Sequence, residues 1–129
     1  MKKKILVVDD EPEYVELVKL VLEKEGFFVS EAYSGEECLD KIKEEKPDLV
    51  ILDILMPGMD GQQVCKVLKE NKETKLIPVV MLTALNNTIN KIIGLKIMCA
   101  DAYVTKPVEE KELIDTVNRL LFWNVVLKG

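Results

Sequence analysis

The feature that most constrains the fold is a set of short apolar runs separated by longer segments with helical periodicity. In chain order the runs are Ile5–Val8, Phe27–Val29, Leu49–Leu52, Val79–Leu82 and Ala102–Val104, of which the second and the fifth are the weakest. They are rich in β-branched residues and continuous rather than alternating, which is typical of strands buried on both faces of a parallel sheet.

The segments between these runs carry signals for the starts of helices. Pro12 stands where the first turn of a helix tolerates proline. Ser34 is followed three residues later by Glu37, as in a capping box. Either Asp60 or Gly61 begins a third helix. Each apolar run is therefore followed by a helix in the first half of the chain.

The second half of the chain continues this alternation. A fourth helix is predicted from Asn87 to about Met98, and a fifth has Leu113, Val117 and Leu121 at helical spacing. Regular alternation predicts an α/β fold, (βα)5, in which helices cover both faces of a doubly wound, five-stranded parallel sheet. Ligands of such folds bind at the carboxyl ends of the strands.

Length, charge and residue usage exclude several classes of protein. The chain has 129 residues, which fits one domain, and a net charge of −5. An acidic chain is a poor candidate for direct binding to nucleic acid, which requires basic patches. Histidine is absent, so histidine-ligated metals and histidine-based catalysis are excluded. Cys38, Cys65 and Cys99 form no paired motif and are interpreted as buried, reduced thiols.

The amino terminus does not read as a targeting or membrane segment. The basic residues 1–4 precede the apolar run Ile5–Val8, which stops at Asp9 and is too short for the core of a signal peptide. No apolar run approaches the ~20 residues of a membrane span. We therefore expect no membrane association and a cytoplasmic location.

Charged and polar residues follow the predicted strands. Asp9 and Asp10 follow the first run, Asp53 the third, Thr83 the fourth and Lys106 the fifth. Because the carboxyl ends of parallel strands meet at one edge, these side chains are expected to converge. The formal charge of −2 left by the three aspartates and the lysine suits a Mg²⁺ ion. The simpler interpretation is that the acidic residues only cap helices and turns.

Five stretches in the same order resemble one family. They are Ile5–Glu11, Pro47–Asp53, Met56–Gly61, Pro78–Ala84 and Ala100–Pro107. From residue 3 to about 121, the chain closely resembles the receiver domain of two-component response regulators, in the manner of single-domain chemotaxis regulators. The resemblance implies a flavodoxin-like fold with strand order 2-1-3-4-5. Residues 1–121 would form the receiver domain and residues 122–129 an apolar extension of its last helix.

The resemblance also implies a phosphorylation site. Asp53 corresponds to the phosphoacceptor of the family. Asp9 and Asp10 correspond to the acidic pair that holds Mg²⁺, with Asp10 as a direct ligand and Asp9 acting through water. The backbone carbonyl of Leu55 would complete the protein ligands. Lys106 corresponds to the lysine that pairs with the phosphoryl group, and Lys106–Pro107 is expected to be a cis peptide.

Two further residues match the positions that change on phosphorylation. Thr83 corresponds to the switch hydroxyl that moves to meet a phosphoryl oxygen. Tyr103 corresponds to the aromatic residue whose orientation reports that movement. Since a tyrosine near a sheet edge often only packs there with its hydroxyl in water, simple packing is the alternative for Tyr103.

The resemblance predicts the partners as well. A histidine kinase or a histidine phosphotransfer protein would donate the phosphoryl group, with small phosphodonors as substitutes. Because only a few residues follow the last predicted helix, the output would be a contact with a downstream protein in trans, or would lie on a segment outside this sequence. The chain would be a signalling domain rather than an enzyme, catalysing only its own phosphorylation and dephosphorylation. The apolar residues 122–129 either pack on their own domain or form a surface for a partner or for self-association, the last of which would give a homodimer.

The chain departs from the usual pattern of the family at a few positions. Leu55 and Leu85 stand where many members carry a polar residue, beside the path of the water that hydrolyses the acyl phosphate. We therefore hypothesise slow self-dephosphorylation. The segment 94–101 is one residue longer than usual and has Cys99 where glycine is common, and Val108 replaces a common phenylalanine.

Three other functions compete with this interpretation. A Mg²⁺-dependent aspartyl phosphohydrolase would need a second aspartate two residues after the nucleophile, where this chain has Leu55. A flavodoxin-like cofactor carrier would need phosphate-binding donors in its first loop, where Asp9 and Asp10 would repel a phosphate. An interaction scaffold of the same fold that is never phosphorylated is the remaining alternative.

Overall fold

The computed structural model describes residues 2–84 and 100–128, with side chains described as far as Phe122. The elements of this part, in chain order, are β1 Lys4–Val8, α1 Pro12–Lys24, β2 Phe28–Ala32, α2 Gly35–Glu44, β3 Leu49–Asp53, α3 Gly61–Glu70, β4 Val79–Thr83, β5 Ala102–Thr105 and α4 Glu110–Lys128. The helix predicted at 87–98, Leu85 and most of the unusual segment 94–101 lie outside the described residues.

The five strands form one parallel sheet in the order β2-β1-β3-β4-β5. The predicted fold class and strand order are therefore confirmed. Every residue of β3 and of β4 is buried, because helices cover both faces of the sheet interior. This double burial is the physical reason for the continuous apolar runs in the sequence.

The edge strand β2 differs from its predicted range. The apolar run ends at Val29, whereas the strand runs from Phe28 to Ala32. Its first four residues alternate between exposed and partly buried because one edge and part of one face meet solvent, and Ala32 at its end is buried. Ser30 and Glu31 can therefore lie in a strand that apolar content alone does not reveal.

The core is divided by the sheet into two clusters. Alternate residues of β1 point to opposite faces, so Val7 belongs to one cluster and Leu6 to the other. Val18 of α1 and Leu113 of α4 pack on the first face. Leu68 of α3, together with α2, covers the second. The helices are thus fixed on the sheet that carries the polar residues at its edge.

Local signals set the helix starts close to their predicted positions. Pro12 opens α1, and Asp60 caps α3 in a complete capping box with Gln63. Ser34 caps α2 by accepting a hydrogen bond from the Glu37 amide at 3.1 Å. The reciprocal bond of a capping box is displaced, because the Glu37 carboxylate accepts from the amide preceding Ser34.

The carboxyl-terminal helix α4 continues to Lys128, so the backbone of 122–128 extends the helix that packs on the sheet. No helix in the described part of the chain combines the length and the apolar character that crossing a membrane requires. Cys38 and Cys65 are buried as predicted, and burial raises the pKa of the Cys38 thiol to about 12. Cys99 lies outside the described residues.

Candidate functional site

Three aspartates meet at the carboxyl edge of the sheet. Asp9 and Asp10 directly follow β1, and Asp53 is the last residue of the neighbouring strand β3. One carboxylate oxygen from each lies within 4.8 Å of the others. Asp9 is fully buried, Asp53 is 4% exposed, and Asp10 is exposed to solvent. The structure thus places a negatively charged cluster partly inside the protein, where carboxylates are costly without a counter-charge.

Lys106 supplies part of that counter-charge. Its ammonium lies 2.9 Å from Asp9 Oδ2, 3.4 Å from Asp53 Oδ1 and 3.5 Å from Glu11 Oε1. The Lys106 amide donates to the Thr83 carbonyl at 2.7 Å, which fixes the chain beyond β5 against the end of β4. The Lys106–Pro107 bond is cis, as the family resemblance implied.

The electrostatics of the cluster leave Asp53 unusually basic for an aspartate. Burial, followed by the charge of Asp9, raises the pKa of Asp53 from 3.8 to about 6, although Lys106 acts in the opposite direction. Burial lowers the pKa of Lys106, but the neighbouring carboxylates of Asp9 and Asp53 outweigh it and raise that pKa above its ordinary value. Lys106 therefore stays charged, and Asp53 is ionised mainly above pH 6.

The cluster has the properties of a site for a hard cation. The Asp9 Oδ1 atom accepts a hydrogen bond from the Glu11 amide at 3.0 Å. The buried Oδ2 atom has no partner with hydrogen-bond geometry within the described ranges, although Lys106 lies close as an ion pair. Three carboxylates offering oxygen ligands and one incompletely satisfied buried oxygen fit Mg²⁺, which binds through carboxylates and retained waters.

Thr83 and Tyr103, the two residues predicted to change on phosphorylation, lie on β4 and β5. Thr83 ends β4, is 1% exposed, and pairs in register with Thr105. Because Asp53 pairs with Leu82, Thr83 lies one residue beyond the position of Asp53 along the same edge. Tyr103 lies within β5 and is buried in the cluster that α2 and α3 cover. Burial also raises the pKa of its hydroxyl.

An open cavity of about 370 Å³ leads to Asp53. Its lining is formed by Glu11, Tyr14, Asp53, Leu55, Ala84, Lys106 and Pro107. The Leu55 side chain is 70% exposed at its rim. The predicted role of the Leu55 carbonyl as a metal ligand stays a prediction, and Leu85 lies outside the described residues.

A close approach between backbones holds the loop after Asp53. The Gly61 amide donates to the Ile54 carbonyl at 2.9 Å. A Cβ atom at Gly61 would lie 2.3 Å from the Asp53 carbonyl oxygen, closer than any side chain permits. Glycine at this position therefore lets the start of α3 pack directly against the end of β3.

Two residues that contact Lys106 have no role that the sequence indicates. Glu11 stands within the first stretch that resembles the family, and no motif includes Tyr14. The Lys106 ammonium lies 4.1 Å from the centroid of the Tyr14 ring. The signal available in the sequence was position, since a helix that begins at Pro12 has Tyr14 in its first turn, beside the carboxyl edge of β1.

Comparison with known proteins identifies the family. The family model described as the response regulator receiver domain matches residues 5–118. The chain belongs to this family. The match begins at the second residue of β1 and spans the other four strands, the described helices α1 to α3 and the first part of α4. As a receiver domain, it is a module of phosphorylation-dependent signalling rather than a conventional enzyme, and its family binds Mg²⁺ at an acidic pocket.

Solved receiver domains have the same fold. A response regulator of Chloroflexus aurantiacus J-10-fl is 39% identical, with 94% of this chain and 98% of that chain covered and a TM-score of 0.88. The chemotaxis response regulator CheY4 of Vibrio cholerae is 30% identical, with 94% and 100% covered and a TM-score of 0.86. NtrX from Brucella abortus is 29% identical, with 99% of this chain but 29% of that chain covered, and has a TM-score of 0.88.

Proposed function

We propose that this receiver domain accepts a phosphoryl group on Asp53 and thereby changes the surface that it presents to a protein partner. The observation that carries this proposal is the arrangement of Asp53 beside Asp9, Asp10 and Lys106 at the inner end of an open cavity. The Asp53 carboxylate is accessible to an incoming phosphoryl group, and it lies between the negative charges of Asp9 and Asp10 and the positive charge of Lys106.

The proposed chemistry is an in-line displacement at phosphorus. An oxygen of ionised Asp53 forms the new bond while the bond from phosphorus to the donor breaks, and the donor atom leaves with the electron pair. Lys106 stabilises the negative charge on the phosphoryl oxygens. A Mg²⁺ ion held by Asp9, Asp10, Asp53 and the Leu55 carbonyl supplies further neutralisation of that charge when bound.

Thr83 and Tyr103 are proposed to transmit the event. A hydroxyl at the end of β4 can donate to a phosphoryl oxygen only after the group has been transferred, so it can favour one of two loop conformations. The position of Thr83 one residue beyond the partner of Asp53 supports this role. Tyr103 lies on β5, which pairs directly with β4, so a movement at the end of β4 can alter the position of Tyr103.

The donor is proposed to be the phosphohistidine of a histidine kinase or of a histidine phosphotransfer protein, and the output a protein contact in trans. Acetyl phosphate and similar small donors would substitute in vitro. The acidic charge of the chain and its buried Cys38 thiol suit a cytoplasmic exchange between proteins without nucleic acid. Self-association through α4 is a further proposal for the output.

The test is the intact mass of the protein after incubation with acetyl phosphate and Mg²⁺. We expect a gain of one phosphoryl group, ~80 Da, in the wild type. The gain should be lost in Asp53→Asn and in the absence of divalent cations. Asp40→Asn provides the matched control, because Asp40 is an exposed residue of α2. A wild type that binds Mg²⁺ but gains no mass would favour the scaffold without phosphorylation.

A further inference from the structure

The contact between Tyr14 and Lys106 has a consequence for the proposed phosphorylation, on which this inference rests. We propose that Tyr14 is a positioning residue that holds the Lys106 ammonium beside Asp9 and Asp53 through the face of its aromatic ring. The ring, and not the hydroxyl, performs this task. Tyr14 would thereby set how fast Asp53 accepts a phosphoryl group.

The geometry of the contact is favourable. The Lys106 ammonium lies 4.1 Å from the Tyr14 ring centroid, well within the ~6 Å over which a ring attracts a cation. Tyr14 is half-buried in the first turn of α1. The next residue, Val15, is fully packed in the core under the sheet, so the backbone that carries the ring is held in place.

The Tyr14 ring limits the movement of the Lys106 ammonium away from Asp9 and Asp53. A lysine ammonium sits on a flexible stem and can reorient among several acceptors. Asp9 and Asp53 attract it inward, at 2.9 and 3.4 Å, whereas Glu11 at 3.5 Å attracts it toward solvent. The Glu11 side chain is 57% exposed, so a lysine that followed it would leave the phosphoryl site. Tyr14 opposes this movement without adding a charge.

Shielding from water strengthens the effect. The Lys106 side chain is only 10% exposed, and the Tyr14 ring covers part of the ammonium that water would otherwise solvate. Attraction between Lys106 and negative oxygens is stronger where water is excluded. The ring contact also does not depend on the state of Asp53, so it persists while the negative charge moves from that carboxylate to the phosphoryl oxygens.

The reaction itself assigns no proton to Tyr14. With acetyl phosphate, an Asp53 oxygen bonds to phosphorus while the bond from phosphorus to the acetate oxygen breaks, and acetate leaves with the electron pair. Lys106 remains protonated throughout. Phenylalanine, which keeps the ring, should therefore replace Tyr14, whereas leucine, which is apolar but has no aromatic face, should not.

The experiment measures phosphorylation rates by intact mass, with acetyl phosphate at saturating Mg²⁺. We expect Tyr14→Phe to remain within about twofold of the wild type and Tyr14→Leu to be slower by about two- to fivefold, the usual strength of a cation–π contact. In a Lys106→Met background, Tyr14→Leu should cause no further loss. Tyr33→Leu is the matched control, because the Tyr33 hydroxyl donates to Glu31 on β2, outside the cavity lining.

Three rate results would overturn the proposal. They are an unchanged rate in Tyr14→Leu, an equal loss in Tyr14→Phe, and the same loss whether Lys106 is present or replaced by methionine. Unfolding midpoints of all variants establish that a slower rate does not reflect a smaller folded fraction.

A second measurement separates this proposal from the phosphorylation on which it rests. Because of the ring current, we expect upfield-shifted NMR signals for the Lys106 ε-methylene protons in the wild type and in Tyr14→Phe, but not in Tyr14→Leu. If the shift is present but the wild type accepts no phosphoryl group, the proposed function fails and the positioning role falls with it. If phosphorylation proceeds without the shift, only the Tyr14 proposal fails.

Discussion

Replacing Asp53 by asparagine should stabilise the folded protein when no divalent cation is present. The side chain is buried beside Asp9, which raises the pKa of Asp53 from 3.8 to about 6. Each unit of difference between the folded and unfolded states corresponds to ~1.4 kcal/mol, so ionised Asp53 costs at most about 3 kcal/mol. The raised pKa already includes the opposing attraction of Lys106 at 3.4 Å, and asparagine remains a buried polar group, so the expected gain is roughly 1–3 kcal/mol.

The stabilisation of the folded protein by Asp53→Asn should increase with pH. Because the pKa of Asp53 is raised on folding, its protonation stabilises the folded state below the unfolded pKa of 3.8, and this contribution is lost as the pH rises through about 6. The free energies of unfolding of the wild type and Asp53→Asn should therefore converge near pH 4. Their difference should grow to its full value by pH 7–8.

Urea unfolding followed by circular dichroism, at several pH values from 4 to 8 with a chelator, measures this difference. Asp40→Asn controls for the loss of a surface carboxylate. Added Mg²⁺ should reduce the difference in the free energy of unfolding between Asp53→Asn and the wild type, because a cation that binds the folded wild type stabilises it by mass action. A difference that is absent, negative or independent of pH would refute the argument that Asp53 is held at an electrostatic cost.

Other perturbations of the same site have expected outcomes of their own. The Asp53 carboxyl should titrate near pH 6 in carbon NMR without divalent cations, and at lower pH with Mg²⁺, which favours the ionised form. Lys106→Met should reduce the free energy of unfolding by about 2 kcal/mol or more in chemical denaturation at pH 7, since it leaves buried carboxylates unpaired. Gly61→Ala should cost about 2 kcal/mol or more in the same assay, because its Cβ would meet a carbonyl oxygen at 2.3 Å. Replacing both Leu55 and Leu85 by polar residues should shorten the half-life of the phosphorylated protein, as followed by its intact mass over time. An unchanged half-life would contradict the proposed shielding of the acyl phosphate.

The central strands of the sheet were easier to predict from the sequence than the edge strand β2. Leu49–Leu52 and Val79–Leu82 lie in central strands buried on both faces, so their composition identifies them directly. The strand Phe28–Ala32 has one free edge, and its polar residues carry no such signal. The capping of α2 was predicted in part, since Glu37 has two nearby amides to choose from and only the folded turn selects one.

The candidate site divides in the same way. Asp9, Asp53 and Lys106 could be placed at one edge from chain order, because every parallel strand ends on the same side of the sheet. The role of Tyr14 could not be placed so readily, since Tyr14 lies within α1, and only the packing of that helix decides which of its side chains reaches Lys106. No short motif contains that pair.

The sequence by itself determined the alternation of strands and helices, the family, and which polar residues stand at the carboxyl ends of the strands. The alternation and the places of the polar residues follow from periodicity and chain order, and the family follows from the resemblance of five short stretches, all of which can be read without the fold. Only the tertiary structure decided that Asp9 is fully buried, that Lys106 is shared among three carboxylates, and that the pKa of Asp53 rises to about 6. Burial and distance arise from the packing of segments far apart in the chain, and the electrostatics of the site depend on both.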